Sequence, residues 1–351
     1  MTAPIESCDP IAVLVLRGGR VESRHRAAFA VTDAAGVLTH GRGEVREPIF
    51  PRSAVKPLQA LALLESGAAD RFGVSPVELA LACASHGGEP AHVGVVQAWL
   101  ERLGLGPDAL ECGAHAPSHA ASAERLSRSR RAPSPLHNNC SGKHAGMLTL
   151  ALHLEVAPAG YTRPDHPVQR RIAGVLAEMA GVAALDAPAV DGCSAPTFPL
   201  SLVQLASAMA RLGSPRDLRP ERAVACERVR AAMRAHPYMV AGAGRACTAI
   251  MSAAPEILVK TGAEGVYAAA LPAQGLGVAL KVEDGAGRAS VVALLALLEA
   301  LGALDARTRG VLAELARPVL RNHRGLEVGR LEPAPGWAEL GALGALSRRP
   351  R

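Results

Sequence analysis

With 351 residues, the chain is long enough to bury one large core or two ordinary ones. Its apolar runs are all too short for a membrane span, and the opening "MTAPIESCDP" lacks the basic and apolar regions of a secretory signal, so neither a membrane helix nor export is expected. The net charge of +6 does not suggest nucleic acid, because the densest basic patch, "RLSRSRRAPSP" (125–135), has no interleaved aromatics and is expected to be a solvated loop.

Residues 11–47 alternate apolar and polar side chains around Gly18-Gly19 and "DAAG", which predicts two or three antiparallel strands. "SAVKPLQALALLESGAA" turns helical, with Leu58, Leu61 and Leu64 on one face. A second helix is capped by Ser75, with Pro76 at its first position and Glu78 in its first turn, and ends at Ser85-His86-Gly87-Gly88. "EPAHVGVVQAWLERLGL" is a third, ending near Gly104. A loop-rich stretch is expected over 112–145, then helices at 145–156, 167–182, 199–212 and 221–235. "ILVKTGAEGVYAAALP" and "GLGVALKVEDG" read as two strands, followed by a helix over 288–301. Strands from both chain ends would most simply share one antiparallel sheet, with the helical section (about 54–245) packed on it as an α+β fold and the cleft between the two. One domain over 1–335 and a weakly specified tail, 336–351, are expected.

Lysine supplies only four of the 38 basic side chains: Lys56, Lys143, Lys260 and Lys281. Arginine stays charged in proteins, whereas a lysine amine can lose its proton and act as a base or a ligand. Ser53-x-x-Lys56 therefore offers a hydroxyl with a base three residues on, once the amine is brought down from its free value of about 10.4. Pro57 disfavours a helical Lys56, so an irregular turn with free backbone N–H groups is expected there. Lys260-Thr261-Gly262, late in the chain, completes the S-x-x-K and K-T-G pairing of serine β-lactamases and penicillin-binding proteins. Their S-D-N is absent, and Ser85 is the candidate for its bridging hydroxyl.

The seven cysteines are an odd number scattered through a long chain, which suits reduced thiols of a cytoplasmic protein better than a disulfide framework. "HNNCSGKHAGM" offers Cys140 and Lys143, and "DGCSAPTFPL" offers Cys193 with Asp191 two residues before it. Two thiolates with a further ligand would suit Zn²⁺, and His137 and His144 are rival ligands or supporting donors. Inert buried thiols are the simpler reading of the residues alone.

Taken together, "RSAVKP", "ASHGGEPAHV", "HNNCSGKHAGML", "DGCSAPTFPL" and "LVKTGAEGVYAAALP" resemble the Rhizobium etli-type (class 3) L-asparaginases, over about residues 17–333. The resemblance implies a serine-β-lactamase-like fold, a homodimer, and hydrolysis of L-asparagine to L-aspartate and ammonia. It implies two serine–lysine tandems, Ser53 with Lys56 and Ser85 with Lys260. It also implies a zinc ion held by Cys140, Lys143 and Cys193, with His144 behind them. Arg52, His86, Asp191, Thr261 and Gly262 would line the substrate pocket. Ser53 would attack the side-chain amide, with Lys56 taking its proton. The runners-up are a related amidohydrolase acting on glutamine, a β-aspartyl compound or a cyclic amide, and a non-catalytic zinc-holding binding protein.

Overall fold

The computed structural model describes residues 9–340. Its centre is an eight-stranded antiparallel sheet, built from β1 (Ile11–Arg17), β2 (Arg20–Asp33), β3 (Leu38–Arg42), β4 (Leu258–Thr261), β5 (Val266–Leu271), β6 (Leu276–Val282), β7 (Val319–Arg321) and β8 (Glu327–Pro333). The order is β7-β8-β1-β2-β6-β5-β4, with β3 pairing β2. β2 explains how the two chain ends meet. Its polar first half, "RVESRHR", pairs β1, and its apolar second half, "AAFAVTD", pairs β6 on the other edge. The expected α+β arrangement, one sheet from both chain ends, is what forms.

Two expectations for the strands need correction. "ILVKTGAEGVYAAALP" is not one strand: it breaks after Thr261 into the β4–β5 hairpin, through Glu264 and Gly265 at φ 54° and 69°. β7 and β8 were not anticipated, because "EVGRLEP" mixes charges and apolar residues without alternation and β7, at the sheet edge, is only three residues long.

The helices of seven or more residues are α1 (Pro76–Ala82), α2 (Pro90–Arg102), α3 (Ala120–Arg128), α4 (Ser141–His153), α5 (Pro167–Ala180), α6 (Leu202–Gly213), α7 (Pro220–Ala235), α8 (Ala246–Ala253) and α9 (Gly287–Ala300). α1 starts as its sequence dictates: Ser75 and Glu78 form a reciprocal cap, with Pro76 in the first turn. α3 lies inside the stretch expected to be loop. The "solvated loop" of 125–135 is thus partly helical, although its arginines are exposed. "SAVKPLQALALLESGAA" does not form one helix but a 3₁₀ turn, Arg52–Val55, followed by short helices Lys56–Gln59 and Leu61–Glu65. Lys56 is helical (φ −57°, ψ −38°) despite Pro57, because its buried amine is fixed by the bonds described below.

α6 packs on one face of the sheet so closely that a Cβ on Gly277 of β6 would lie 2.0 Å from the Ala206 carbonyl oxygen. α9 lies on the other face. There Trp337 stacks edge-on to Phe29 of β2 at 5.1 Å and donates its indole N–H to the Ala293 carbonyl at 3.1 Å. Trp337 falls in the stretch expected to be a loose tail, yet it is 1% exposed. The rest of that tail, 341–351, lies outside the described residues. The six described cysteines are free thiols; Cys8 is outside the described residues. Among the described residues no helix is long and apolar enough to cross a membrane.

Candidate active site

The register of the sheet aims Lys260 at the helical lobe. Lys260 pairs Ala268, which pairs Ala279, two residues from Gly277 on the face covered by α6. Its amine ends 2.8 Å from Ser85 Oγ and donates to the Thr261 carbonyl at 3.0 Å. Ser85 lies just past the end of α1, its N–H held by the Val240 carbonyl at 2.9 Å. Lys56 approaches the same hydroxyl from the other side: its Nζ is 3.0 Å from Ser85 Oγ, and it also donates to the Ala84 carbonyl (2.5 Å) and the Cys140 sulfur (3.1 Å). Both lysines are 1% exposed and Ser85 is 7% exposed. Burial and repulsion from Lys56 bring the Lys260 amine down to about 7.

Ser53 stands apart from this network. It is half-buried on the 3₁₀ turn, and no hydrogen bond joins its hydroxyl to Lys56. The turn lies directly against the K-T-G strand end, where a Cβ on Gly262 would meet the Pro51 carbonyl oxygen at 2.5 Å. Arg52 at φ 51° is a left-handed, strained residue. Its guanidinium donates to Asp191 Oδ1 at 2.5 Å, closing an ion pair at the rim of the site. Thr261 and Gly262 are partly exposed beside it.

The thiol cluster borders the same site. Cys140 precedes α4, which places Lys143 and His144 in the first turn, while the 191–195 loop, with Ser194 at φ 69°, brings Cys193 across. The Cys140 S–H donates to Asn139 Oδ1 at 2.9 Å, its sulfur lies beside Cys193, and Lys143 donates to Cys193 Sγ at 3.0 Å. The Cys193 thiol is drawn down from its ordinary value, by its interaction with Cys140 first and then by the Lys143 charge. The same interaction and burial push the Cys140 thiol up. Burial alone would lower the Lys143 amine, but the two sulfurs reverse this and raise it. The Tyr161 hydroxyl accepts the Glu111 N–H (2.9 Å) and hydrogen-bonds His144 Nδ1 (2.6 Å). His144 Nε2 is a buried atom with no well-formed partner of its own and the Cys193 sulfur beside it. His137, the rival ligand, is committed to the turn at Ser134.

His86 is fully buried: Nδ1 accepts the Gly88 N–H and Nε2 is 2.9 Å from Ser141 Oγ, so both ring nitrogens are used within the protein. Burial holds this imidazole neutral, well below its usual range. Cys247 reaches the edge of the site, 3.0 Å from the Tyr267 hydroxyl. Lys281 donates to carbonyls of its own strand end, away from the cluster. Among the described residues no three His, Cys, Asp or Glu side chains form a metal-holding group. The candidate set has two thiols, and its third donor is an amine. Sequence reasoning missed the Ala84 carbonyl, which carries no side-chain signal, and Tyr161 and Glu89; Glu89 stands inside the motif "ASHGGEPAHV".

The family model described as L-asparaginase II matches residues 13–333. No curated protein matches. Among solved structures, Mglu in its native form is similar at TM-score 0.47 and 17% identity, covering 79% of this chain and 65% of that one. This chain thus spans less than two thirds of Mglu. A beta-lactamase from Mycobacterium bovis is similar at TM-score 0.41 and 15% identity, covering 83% of this chain and 95% of that one.

Proposed function

Since the chain belongs to the L-asparaginase II family, we propose that it is a Rhizobium etli-type enzyme that hydrolyses the side-chain amide of L-asparagine to L-aspartate and ammonia. The observation that carries the chemistry is Ser85 Oγ between two buried amines, 2.8 Å from Lys260 and 3.0 Å from Lys56. Lys260, near 7, is neutral in a large fraction of molecules at physiological pH and can take the Ser85 proton. Ser85 Oγ then bonds to the amide carbon, the C–N bond breaks, and the proton on Lys260 leaves with ammonia. Water hydrolyses the resulting β-aspartyl ester, returning the serine proton. Lys56 donates to the oxygen throughout and keeps Lys260 unprotonated by repulsion. The paired charges of Arg52 and Asp191 match those of an amino acid: the α-carboxylate would go to Arg52 and the α-ammonium to Asp191.

A second reading keeps Ser53 as the nucleophile and Ser85 as its proton relay. It is favoured by exposure, since Ser53 is half-buried and Ser85 is 7% exposed. The donors also fit Zn²⁺: Cys140 and Cys193 lie side by side, Lys143 reaches Cys193, and the unpartnered His144 Nε2 would be placed to steady a metal-bound sulfur. Bound there, the ion would orient substrate or polarise it, and Lys143 would have to give up its proton to bind. Homodimer assembly and a cytoplasmic location belong to the same reading.

The test is ammonia release from L-asparagine and L-glutamine, with protein quenched during turnover and mapped by mass spectrometry. Asparagine turnover with the ester on the Ser85 peptide, and a kcat loss of about a thousandfold in Ser85→Ala, is expected. An ester on Ser53 would replace the first reading by the second. Preference for glutamine would reassign the substrate, since one methylene is worth only about 1–3 kcal/mol. Zinc content measured on wild type and Cys193→Ala decides the metal; no zinc in purified wild type under replete growth would remove it.

A further inference from the structure

Glu89 and His92 belong to the same sequence motif as Ser85 and His86, but neither touches the lysine–serine network. Glu89 is 5% exposed, and among the described residues no lysine or arginine pairs with it; His92 and His119 stand 4.0 Å from its oxygens. A buried carboxylate without a cation is costly unless its oxygens are hydrogen-bonded. Both are, and both bonds go to one segment. The Tyr238 hydroxyl donates to Oε2 and the Ala243 N–H donates to Oε1, each at 2.9 Å. Between these two anchors lies Val240, whose carbonyl accepts the Ser85 N–H. The approach is too close for a side chain at Gly242, where a Cβ would lie 2.2 Å from Oε1. The ring of His92 fills the gap, stacked between His86 at 4.8 Å and Tyr238 at 4.9 Å, with Nε2 donating to the Tyr238 carbonyl.

We propose that Glu89 is a positioning residue for Ser85: it pins residues 238–243 at two points so that the Val240 carbonyl holds the serine in line with both amines. The inference rests on the reading of Ser85 as part of the reaction, whether as nucleophile or relay. Ser85 Oγ must satisfy two lysines at once, so a small drift of its backbone breaks at least one contact. Misplacements of that size cost rate rather than affinity.

The experiment compares Glu89→Ala, Glu89→Gln and Tyr238→Phe by steady-state kinetics and by hydrogen exchange of the full chain. Glu89→Ala is expected to lose about tenfold or more in kcat with KM nearly unchanged. Exchange should rise in peptides spanning 84–88 and 238–245 and stay unchanged in the sheet. Glu89→Gln should recover most of kcat, because its amide oxygen still accepts the Ala243 N–H and its NH₂ can donate to a reoriented Tyr238 hydroxyl. Tyr238→Phe, losing one anchor, should fall between wild type and Glu89→Ala, and it decides the matter if Glu89→Ala does not fold. An unchanged kcat in Tyr238→Phe and Glu89→Ala, or a glutamine variant as impaired as alanine, would overturn the proposal. If wild type releases no ammonia from either amide, the functional reading fails, and the exchange pattern alone then decides whether Glu89 holds Ser85.

Discussion

At the scale of the residue, Lys260 carries two opposed pH dependences. As a base it works when neutral, so kcat/KM for asparagine is expected to rise with pH through about 7 and then level. As a buried amine it opposes folding. Its folded value, about 7, lies below the unfolded one, so the unfolded chain binds more protons between about 7 and 10.5. The penalty is absent above 10.5, grows by up to about 1.4 kcal/mol per pH unit as pH falls, and is constant below about 7. Lys260→Met should therefore be more stable than wild type by a margin that widens from pH 10 to pH 7, while losing activity. Urea midpoints across that range check it, and a margin independent of pH would show that the amine is not depressed by burial. The lysines themselves were legible in the sequence, because so few survive among so many arginines. Which serine they serve was not. The spacing of Ser53 and Lys56 suggests a bond between them, but a buried amine takes the acceptors deepest in the fold, and these are Ala84, Ser85 and Cys140.

At the scale of the element, capped helices were legible and interrupted ones were not. α1 and α2 carry proline in their first turn, and α1 adds a serine–glutamate cap, all visible in the chain. The run after Ser53 shows only a leucine period, and the structure divides it into short helices that bury both Lys56 and the Glu65 side chain. Glu65 and Arg222 of α7 form a bidentate pair, each side chain 1% exposed, joined by Arg219 at 2.7 Å. Removing one member leaves the other buried charge with only its outer partner, Arg219 for Glu65 or Glu178 for Arg222, whereas removing both takes the buried charges away together. Arg222→Met is expected to cost about 3–5 kcal/mol in urea unfolding, and Glu65→Leu combined with Arg222→Met clearly less. Equal losses in the single and double variants would mean that the pair contributes net stability as a pair.

At the scale of the whole molecule, the site exists because two chain ends are sewn into one sheet and a lobe is laid on it. β4, from the late part of the chain, brings Lys260 to a serine 175 residues earlier. K-T-G marks Lys260 in the sequence, but the close seat of the lobe depends on Gly277, a position with no motif around it. The two faces of the sheet should therefore answer differently to mutation. Gly277→Ala drives a methyl into the backbone of α6, so the lobe must lift away from the face that presents Lys260. Overpacking of this kind costs about 1–3 kcal/mol or more, and it is expected to lower kcat as well, because Ser85 and Lys56 ride on the lobe. Trp337→Ala empties the opposite face, against Phe29 and α9. It is expected to cost about 3–5 kcal/mol in unfolding while kcat stays within about twofold, because a cavity on that side leaves the lobe where it is. Urea unfolding and steady-state kinetics on both variants check the contrast. If Trp337→Ala loses kcat as steeply as Gly277→Ala while still folded, the sheet transmits strain between its faces and the layers are not independent.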